Sequence, residues 1–374
     1  MKTAPRLRYF ANIRLPTEKA HGAQIMNMCE AFADQGVRVE LIVPRRTTAI
    51  SQDPFGYYAI RENFTITYLP ATEITWAGRV GFAVQTARYV LQACGMVKKS
   101  SSNDILYTRD AIVAFAFSFL RVKFFWEPHT PSRRWMVARI LTHASGIIPI
   151  TDGLDRYLRD IRPSFNSCVA PDAIGEAFIR THYDAIAARK KLGIPEGAKV
   201  VMYLGSLSEG KGYRQLCKIS GGLKAKGISV VIAGGSQKEA SQLRGQYPDV
   251  IFLGQTRYAE LAENQAAADI LVIPNTADSA ISRLYTSPMK LFPHMASGRP
   301  IIVSDLPSLR EIVDEKSAFL FHPDSEGKNL QNMIEYIFSH SEEARRRAEQ
   351  AKKDVVRYTW NGRAKNVVQF IKTN

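Results

Sequence analysis

The sequence predicts an α/β protein built from two doubly wound, parallel-sheet domains that face a cleft. The chain has 374 residues, which is enough for two domains of ordinary size. Short apolar runs alternate with helical segments along its length, as expected for parallel strands covered by helices on both faces. The alternation pauses in a polar stretch at 185–198 and then restarts, so we place a boundary at its start.

Thirteen apolar runs have the length and composition of buried strands. In the first half they lie at 7–13, 37–43, 64–69, 105–107, 122–126, 146–150 and 167–170. In the second half they lie at 199–204, 229–233, 250–253, 270–273, 300–303 and 318–321. Helices are expected between them, including 23–35 and 76–98, and the segment 342–374 is mostly helical.

The composition limits the compartment and the partners. The net charge is +15; residues 1–170 carry 22 Lys and Arg against 13 Asp and Glu, or +9, which leaves +6 for the rest. This excess favours anionic partners such as nucleotides, anionic lipids or nucleic acid. The four cysteines form no Cys-x-x-Cys pair, so we expect reduced thiols and no zinc site. Neither a signal peptide nor a spanning helix is evident, and we expect a cytoplasmic protein.

Two segments of the second half predict an anion site. The strand at 199–204 runs into Gly205 and Ser206, and Lys211 precedes a helix. Glycine allows close approach of a phosphate and lysine adds charge, although an ordinary strand-to-helix turn has the same pattern. In the segment 285–311, Ser287 and Pro288 form a helix-start signature, and the free N–H groups of Ser287 and Met289 would face an anion.

The segment 285–311, YTSPMKLFPHMASGRPIIVSDLPSLRE, resembles the nucleotide-sugar site of family-4 glycosyltransferases of the GT-B fold. The likeness is to the Ser-Pro-x-Lys branch, of the bacterial surface-polysaccharide type, and weaker matches at 13–22, 170–172 and 268–269 extend it over most of the chain. It implies a Rossmann-like acceptor domain at 1–184, with a terminal helix at about 357–374 packing back on it. A Rossmann-like domain at 185–356 would bind the nucleotide sugar.

The resemblance also assigns residues. The donor diphosphate would contact Gly205, Ser206, Lys211, Ser287, Pro288 and Met289, and the nucleotide and its ribose would lie near Lys290, Leu291 and Pro293. Family members typically carry two glutamates separated by seven residues, and this chain has Tyr285 and Pro293 there. Ser206 replaces a frequent arginine. We expect Pro293 to leave the ribose without its carboxylate and to kink its helix near Met289.

Candidate residues of the first half follow predicted strands. His129 follows the apolar run at 122–126 and matches the family's active-site histidine, which implies contact with donor-sugar hydroxyls. A lone histidine is otherwise more often structural. Arg109 follows the run at 105–107. His21 and Gly22 occupy the loop that in the family meets the donor phosphate or the acceptor, although a plain helix cap would have the same sequence.

The resemblance implies a glycosyltransferase that retains the anomeric configuration and uses a UDP- or GDP-linked sugar. We expect neither a metal nor a cofactor, because the sequence shows no paired acidic motif that would demand a metal. The acceptor would be a glycan or a lipid-linked saccharide. The stretch 76–99, a surface or core helix in the simplest interpretation, would in the functional one contact an anionic membrane. Alternatives are a catalytically weak or inactive nucleotide-sugar-binding partner and a sugar-nucleotide epimerase. A nucleic-acid-binding protein is suggested by charge alone, and we expect no nucleic-acid partner because no such motif is present.

Overall fold

The computed structural model describes residues 6–71, 78–101 and 103–374 and divides the chain into two compact units. Unit 1 consists of residues 1–172 and 360–374, and unit 2 of residues 173–359. The boundary expected at 184/185 therefore lies inside unit 2. There the polar stretch is anchored, because the buried Arg189 side chain donates to the Asp269 carboxylate at 2.9 Å and to the Ala267 carbonyl oxygen at 3.0 Å.

Each unit contains a six-stranded parallel sheet. The strands are β1 (Arg6–Phe10), β2 (Arg38–Pro44), β3 (Thr65–Leu69), β4 (Asp104–Thr108), β5 (Phe124–Trp126), β6 (Gly146–Ile147), β7 (Lys199–Leu204), β8 (Ile228–Ala233), β9 (Val250–Gly254), β10 (Ile270–Ile273), β11 (Ile301–Ser304) and β12 (Phe319–Phe321). The orders are β3-β2-β1-β4-β5-β6 and β12-β11-β10-β7-β8-β9. The strand order reverses beside β1 and β7, where ligands bind at the carboxyl ends of strands in such sheets.

Helices connect the strands in both units. They are α1 (Ala20–Asp34), α2 (Pro54–Tyr58), α3 (Gly78–Val97), α4 (Ala111–Phe117), α5 (Arg134–His143), α6 (Asp152–Arg159), α7 (Glu176–Arg180), α8 (Ala185–Leu192), α9 (Tyr213–Lys224), α10 (Gln237–Gln246), α11 (Leu261–Ala266), α12 (Leu291–Ala296), α13 (Pro307–Arg310), α14 (Lys328–Ser339), α15 (Ser341–Asp354) and α16 (Trp360–Thr373). Among the described residues, no helix combines the length and the apolar character needed to cross a membrane.

The sheet of unit 1 is covered on both faces. Helices α3, α4 and α5 bury Tyr89, Phe117 and Ile140 against one face, together with strand residues such as Trp126. The terminal helix α16 returns to this unit, packs beside α1 and places the Phe370 ring 6.2 Å from that of Phe125. Both faces of the unit 2 sheet also bear apolar clusters. The predicted fold of two doubly wound α/β domains is confirmed.

Two local predictions differ from the structure. The run at 167–170 is not a strand, since it makes a single bridge from Ser167 to Ile147, and unit 1 ends its sheet at the two-residue β6. The helix expected to begin at Ser287 begins at Leu291. The preceding residues form a turn in which the Leu291 N–H donates to the Pro288 carbonyl oxygen at 2.8 Å.

Candidate functional site

The carboxyl ends of β7, β8 and β9 meet through glycines in unit 2. The Gly205 N–H donates to Ala233 and the Gly234 N–H to Gly254. Gly234 has a φ of +148°, and a Cβ atom there would lie 1.8 Å from the Gly205 carbonyl oxygen. A side chain at Gly234 would therefore force the two loops apart, so glycine is required for their close approach at this edge of the sheet.

Lys211 is held at the same edge by close backbone packing. It follows the β7 loop, and its N–H donates to the Ser208 carbonyl oxygen at 3.3 Å. Its neighbour Gly212 has a φ of +71°, and a Cβ atom there would lie 1.5 Å from the Pro274 carbonyl oxygen. Burial lowers the pKa of the Lys211 amine, because the charged form loses hydration.

Lys290 provides a second amine at this edge. Its Nζ atom is buried, has no hydrogen-bond partner among the described residues and lies 4.1 Å from the centre of the Tyr203 ring. A Cβ atom on Gly205 would be 3.5 Å from that Nζ atom. Burial, and then the charge of Lys211, hold the pKa of Lys290 well below its usual value. A buried, unpaired amine beside another cation is costly, and an anion bound between them would relieve that cost.

The residues expected to contact the diphosphate through a helix N-terminus are arranged differently. Ser287 and Pro288 are buried, Met289 is half-buried, and all three precede α12. The helix start expected at Ser287 and Pro288 is therefore wrong, since Lys290 occupies the N-cap, and contact of these residues with the diphosphate stays a prediction. Ser206 contributes its carbonyl oxygen to the Tyr203 hydroxyl at 2.6 Å, which fixes the ring beneath Lys290. Leu291 is a core residue.

Pro293 does not kink its helix. It is the third residue of α12, where an N–H group would lack an intrahelical partner in any case, so proline costs little there and Met289 lies outside the helix. Pro293 lines a pocket of about 200 Å³ in unit 2. Its other lining residues include Phe178, His182, Tyr183, Gln265 and Arg299. None of the described residues that line it carries a carboxylate, and neither Lys211 nor Lys290 is among them.

His294 is unsuited to replace the glutamate that family members typically carry at position 293. It is fully buried, and its Nδ1 atom lies 2.8 Å from the Gln265 Nε2 atom. An amide nitrogen can only donate, so Nδ1 is the acceptor. Burial, and then the charge of Lys290, lower the pKa of His294 to about 3. The ring is therefore neutral at physiological pH and is committed to the core of unit 2.

A buried carboxylate organises the candidate residues of unit 1. Glu127 directly follows β5 and is fully buried. It accepts hydrogen bonds from Gln24 Nε2 at 2.8 Å, from an Arg363 guanidinium nitrogen at 3.1 Å and from the Tyr107 hydroxyl. His129 Nε2 lies 2.7 Å from Glu127 Oε1. Despite the opposing effect of burial, Arg363 and these hydrogen bonds hold the pKa of Glu127 well below its usual range.

The carboxylate sets the state of His129. An ionised carboxylate can only accept, so Nε2 of the imidazole carries the proton and Nδ1 is left with a lone pair. Burial, followed by the charge of Arg109, lowers the pKa of His129 to about 4, against the opposite effect of Glu127. The ring is therefore neutral and oriented at physiological pH, and Nδ1 can accept a hydrogen bond from a hydroxyl group.

Arg109 and His21 lie in the same region of unit 1. Arg109 donates to Gln24 Oε1 at 2.7 Å, so Gln24 links it to Glu127. Burial and then Arg109 lower the pKa of His21 to about 4. The structure thus brings together three of the sequence-predicted candidates, His21, Arg109 and His129, around one polar network.

Gly22 has a packing role that its sequence context did not indicate. It lies inside the first turn of α1, and its N–H donates to the Lys19 carbonyl oxygen at 3.0 Å. The N–H expected to meet a phosphate or the acceptor is therefore already used. A Cβ atom on Gly22 would lie 2.1 Å from the Tyr58 hydroxyl and 2.6 Å from Thr17, so glycine is required by close packing.

Sequence reasoning missed Arg363, Gln24 and the central position of Glu127. The Arg363 side chain comes from α16 and also donates to the carbonyl oxygens of Ala170 and Pro171, at 3.1 and 2.9 Å. Asp172 follows them; burial raises its pKa to about 7, against the charge of Arg363. The sequence did carry a signal for Glu127, because a carboxylate directly after a buried apolar strand needs hydrogen-bond donors or a cation beside it. No local pattern connects it to residue 363.

A family model and two curated relatives match parts of this chain. Residues 184–354 match the family model described as glycosyl transferases group 1. The chain is 25% identical over 263 residues to a D-inositol 3-phosphate glycosyltransferase of Corynebacterium urealyticum, covering 65% of this chain and 60% of that relative. It is 26% identical over 207 residues to an uncharacterized glycosyltransferase of Methanocaldococcus jannaschii, covering 50% and 48%. The chain thus matches less than two thirds of the length of these relatives.

Solved structures resemble the chain over nearly its full length. A sucrose-phosphate synthase from Thermosynechococcus elongatus has a TM-score of 0.79 at 17% identity, covering 99% of this chain and 98% of that one. The Anabaena protein HepE, solved with UDP, has a TM-score of 0.74 at 14% identity, covering 99% and 100%. HepE has also been solved with UDP-glucose. The chain therefore has the GT-B fold, and its residues 184–354 are similar to the glycosyl transferases group 1 model.

Proposed function

We propose that this protein is a glycosyltransferase that moves a sugar from a nucleoside-diphosphate sugar to an acceptor hydroxyl. The observation that carries the proposal is the buried Lys290 amine beside Lys211 at the glycine-lined edge of the unit 2 sheet. Two cations with restricted hydration at the switch point of a doubly wound sheet suit a diphosphate. HepE, which shares the fold, binds UDP and UDP-glucose, so we propose a uridine donor in preference to a guanosine one.

The chemistry requires stabilisation of a leaving diphosphate. As the bond between the anomeric carbon and the phosphate oxygen breaks, its electron pair stays on that oxygen, and Lys211 and Lys290 would stabilise the negative charge. The acceptor oxygen bonds to the anomeric carbon, and its proton passes to the departing phosphate. We propose that the anomeric configuration is retained and that the lysines serve where other transferases use a metal ion.

We propose for His129 the role that the resemblance implies, a hydrogen bond from a donor-sugar hydroxyl to its Nδ1 atom. The fixed tautomer supports this role, because Glu127 accepts the proton on Nε2. In the wider setting we propose a family-4 enzyme of surface-polysaccharide assembly. Its acceptor would be a glycan or a lipid-linked saccharide, used by a cytoplasmic protein in peripheral contact with the membrane.

His129→Ala should lose most transfer activity, about a hundredfold or more, while remaining folded, because the ring shapes the reaction centre and is not a core residue. The measurement is the rate of nucleoside diphosphate release, beside a thermal melt that verifies folding. His143→Ala is the matched control, since that exposed histidine bonds only to a carbonyl oxygen of its own helix among the described residues. Full turnover by His129→Ala would remove this residue from the site.

Pro293→Glu tests whether the ribose carboxylate has merely been lost. The added carboxylate should tighten UDP binding about tenfold or more, since a charge-assisted hydrogen bond contributes roughly 1.5–3 kcal/mol. Calorimetric titration of both proteins with UDP and GDP gives the comparison, and Pro293→Gln controls for the change in shape. Equal or weaker affinity in Pro293→Glu would show that the site has been rebuilt around the proline.

A melting-temperature panel tests the proposed donor. Because a ligand that binds the folded state stabilises it, the right nucleoside diphosphate should raise the melting temperature in the presence of a chelator. UDP is expected to give the largest shift, ahead of GDP and ADP. Binding without turnover would instead favour the alternative of an inactive nucleotide-sugar-binding partner, which the loss of both family carboxylates makes worth testing.

A further inference from the structure

The outer face of one helix layer in unit 1 is unusually apolar. Of twelve large hydrophobic side chains that are exposed in the described part of the chain, seven lie on this layer. They are Val80, Phe82, Val84 and Leu91 of α3, Ile112 of α4, Phe119 directly after α4, and Trp135 of α5. The inner sides of the same three helices pack on the sheet. Their outer sides therefore form one surface, here called the α3–α5 surface.

Aromatic rings on this surface pack on one another. The Phe115 ring centre lies 5.1 Å from that of Phe119 and 5.1 Å from that of Trp135, and both contacts are edge-to-face. Phe119 is still 57% exposed and Trp135 59% exposed. Ile112 lies three residues before Phe115 and so extends the stripe along α4. A connected patch of this kind marks an interaction site more strongly than scattered apolar residues do.

The charge of the surface has one sign. Residues 78–101, 111–126 and 128–151 contain no Asp or Glu. They contain nine Lys and Arg, which are Arg79, Arg88, Lys98, Lys99, Arg121, Lys123, Arg133, Arg134 and Arg139. All except Arg139 are exposed, and the Arg139 guanidinium lies 3.6 Å from the centre of the Phe119 ring. Lys123 is set apart from the patch, because its Nζ atom lies 5.9 Å from the centre of the Phe125 ring, which packs on α16. The other cations border the apolar patch, and the three ranges contribute no carboxylate to it.

We propose that the α3–α5 surface binds an anionic lipid bilayer. Exposed rings of Phe and Trp enter the interfacial region of a bilayer, and surrounding cations are attracted to anionic headgroups. Nucleic acid would satisfy the cations but would leave the aliphatic side chains of α3 in water. An anionic bilayer offers negative headgroups to the cations and an apolar interior to the exposed rings. Charge complementarity together with the apolar patch therefore favours a membrane.

The purpose of membrane binding rests on the proposed function, because the membrane would bring a lipid-linked acceptor to the enzyme. The binding itself does not depend on that function. Membrane binding is measured without any nucleotide sugar. Failure of vesicle binding would leave the transferase assignment intact, and failure of turnover would leave the membrane surface intact. The two proposals are therefore separable by experiment.

The test is sedimentation of the full-length protein with vesicles of phosphatidylcholine containing about 30 mol% phosphatidylglycerol, compared with phosphatidylcholine alone. The protein should sediment with the anionic vesicles at about 0.05 M salt and much less at about 0.5 M, because exposed charges are screened. Phe119→Ser/Trp135→Ser should lower the partition coefficient about tenfold or more. Lys98→Ser/Lys99→Ser should lower it about tenfold on anionic vesicles only.

The matched control is Ile186→Ser/Val356→Ser, which removes two equally exposed apolar side chains of unit 2 and should leave binding unchanged. Circular dichroism verifies that each variant is folded. No sedimentation at low salt would overturn the proposal, as would equal loss in the control and the Phe119/Trp135 pair. Binding of an RNA homopolymer that depends on Phe119 and Trp135, without vesicle binding, would replace the membrane with nucleic acid.

Discussion

Lys290→Met is expected to weaken UDP binding about 10- to 150-fold and, at the same time, to raise the melting temperature of the ligand-free protein. The loss of affinity follows from removal of a charged donor worth roughly 1.5–3 kcal/mol. The gain in stability follows because the Nζ atom is buried, unpartnered among the described residues and repelled by Lys211. If Lys290 served only the packing of the core, Lys290→Met would lower the melting temperature and leave UDP affinity unchanged.

The stability gain should depend on pH in a defined direction. The folded-state pKa of Lys290 is lowered, so between that value and the ordinary lysine value the unfolded chain binds more protons than the folded chain. The free energy of unfolding of the wild type therefore rises as pH rises through that window, because the cost of the buried charge disappears. Lys290→Met has no amine there, so its free energy of unfolding lacks this dependence on pH. The difference in melting temperature should be larger at pH 7 than at pH 10.

Lys353→Met is the matched control, since that lysine is exposed in the last turn of α15 and should affect neither UDP affinity nor melting temperature.

Lys211→Ala should weaken UDP binding by about 1–3 kcal/mol, with a smaller change in stability. Calorimetry and thermal melts supply both quantities. Unchanged UDP affinity in Lys290→Met would remove the lysine pair from the donor site.

Glu127→Gln is expected to cost about 3–5 kcal/mol of unfolding free energy, because it leaves the buried Arg363 guanidinium without its counter-charge. It should also abolish most activity, since the amide no longer fixes the His129 tautomer. The double variant Glu127→Gln/Arg363→Met removes both charges and should recover most of the lost stability without recovering activity. Denaturant titration and nucleoside diphosphate release measure the two effects.

The double variant separates a structural role from a positioning role. Recovery of stability together with activity would mean that Glu127 serves only to neutralise Arg363. If Glu127→Gln lowered the unfolding free energy by only about 1 kcal/mol, the account of the buried pair would be contradicted, because such a loss is ordinary for a point substitution. Gln24→Ala offers an independent probe, since it breaks the link from Arg109 to Glu127 while leaving both charges in place.

The sequence predicted the strands well because buried parallel strands are short apolar runs, and twelve of the thirteen predicted runs overlap observed strands. The run at 167–170 failed because it follows a two-residue edge strand and makes one bridge only. The start of α12 was placed too early because Ser287-Pro288 is a local signal. Tertiary packing instead buries both residues ahead of the helix.

Sequence alone could identify site residues only where they belong to a local motif. Lys211 and Lys290 belong to recognisable segments, but the burial of the Lys290 amine over the Tyr203 ring depends on β7 and the α12 turn meeting. The Glu127 network joins residues from α1, β4, the end of β5 and α16. Its partners are as much as 236 positions apart in sequence, a separation that no periodicity reports.

The stretch 76–99 is predicted to be a surface or core helix, and its functional interpretation is contact with an anionic membrane. Residues 76 and 77 lie outside the described part of the chain, and α3 occupies Gly78–Val97. Sequence alone showed the basic residues of this helix and its apolar character. It did not show that the exposed side chains of α4 and α5 continue the same surface, because that depends on how three helices cover one sheet face.

The proposed glycosyltransferase activity is most directly tested by nucleotide-sugar turnover with water as the acceptor. The reaction is monitored by nuclear magnetic resonance in the presence of a chelator. We predict that wild-type protein slowly releases UDP from UDP-glucose or a related uridine sugar, and that the free sugar appears first in the anomeric form of the donor. Lys290→Met and His129→Ala should release little UDP. Absence of release from every nucleotide sugar that raises the melting temperature, or equal rates in the wild type and in both variants, would contradict the assignment.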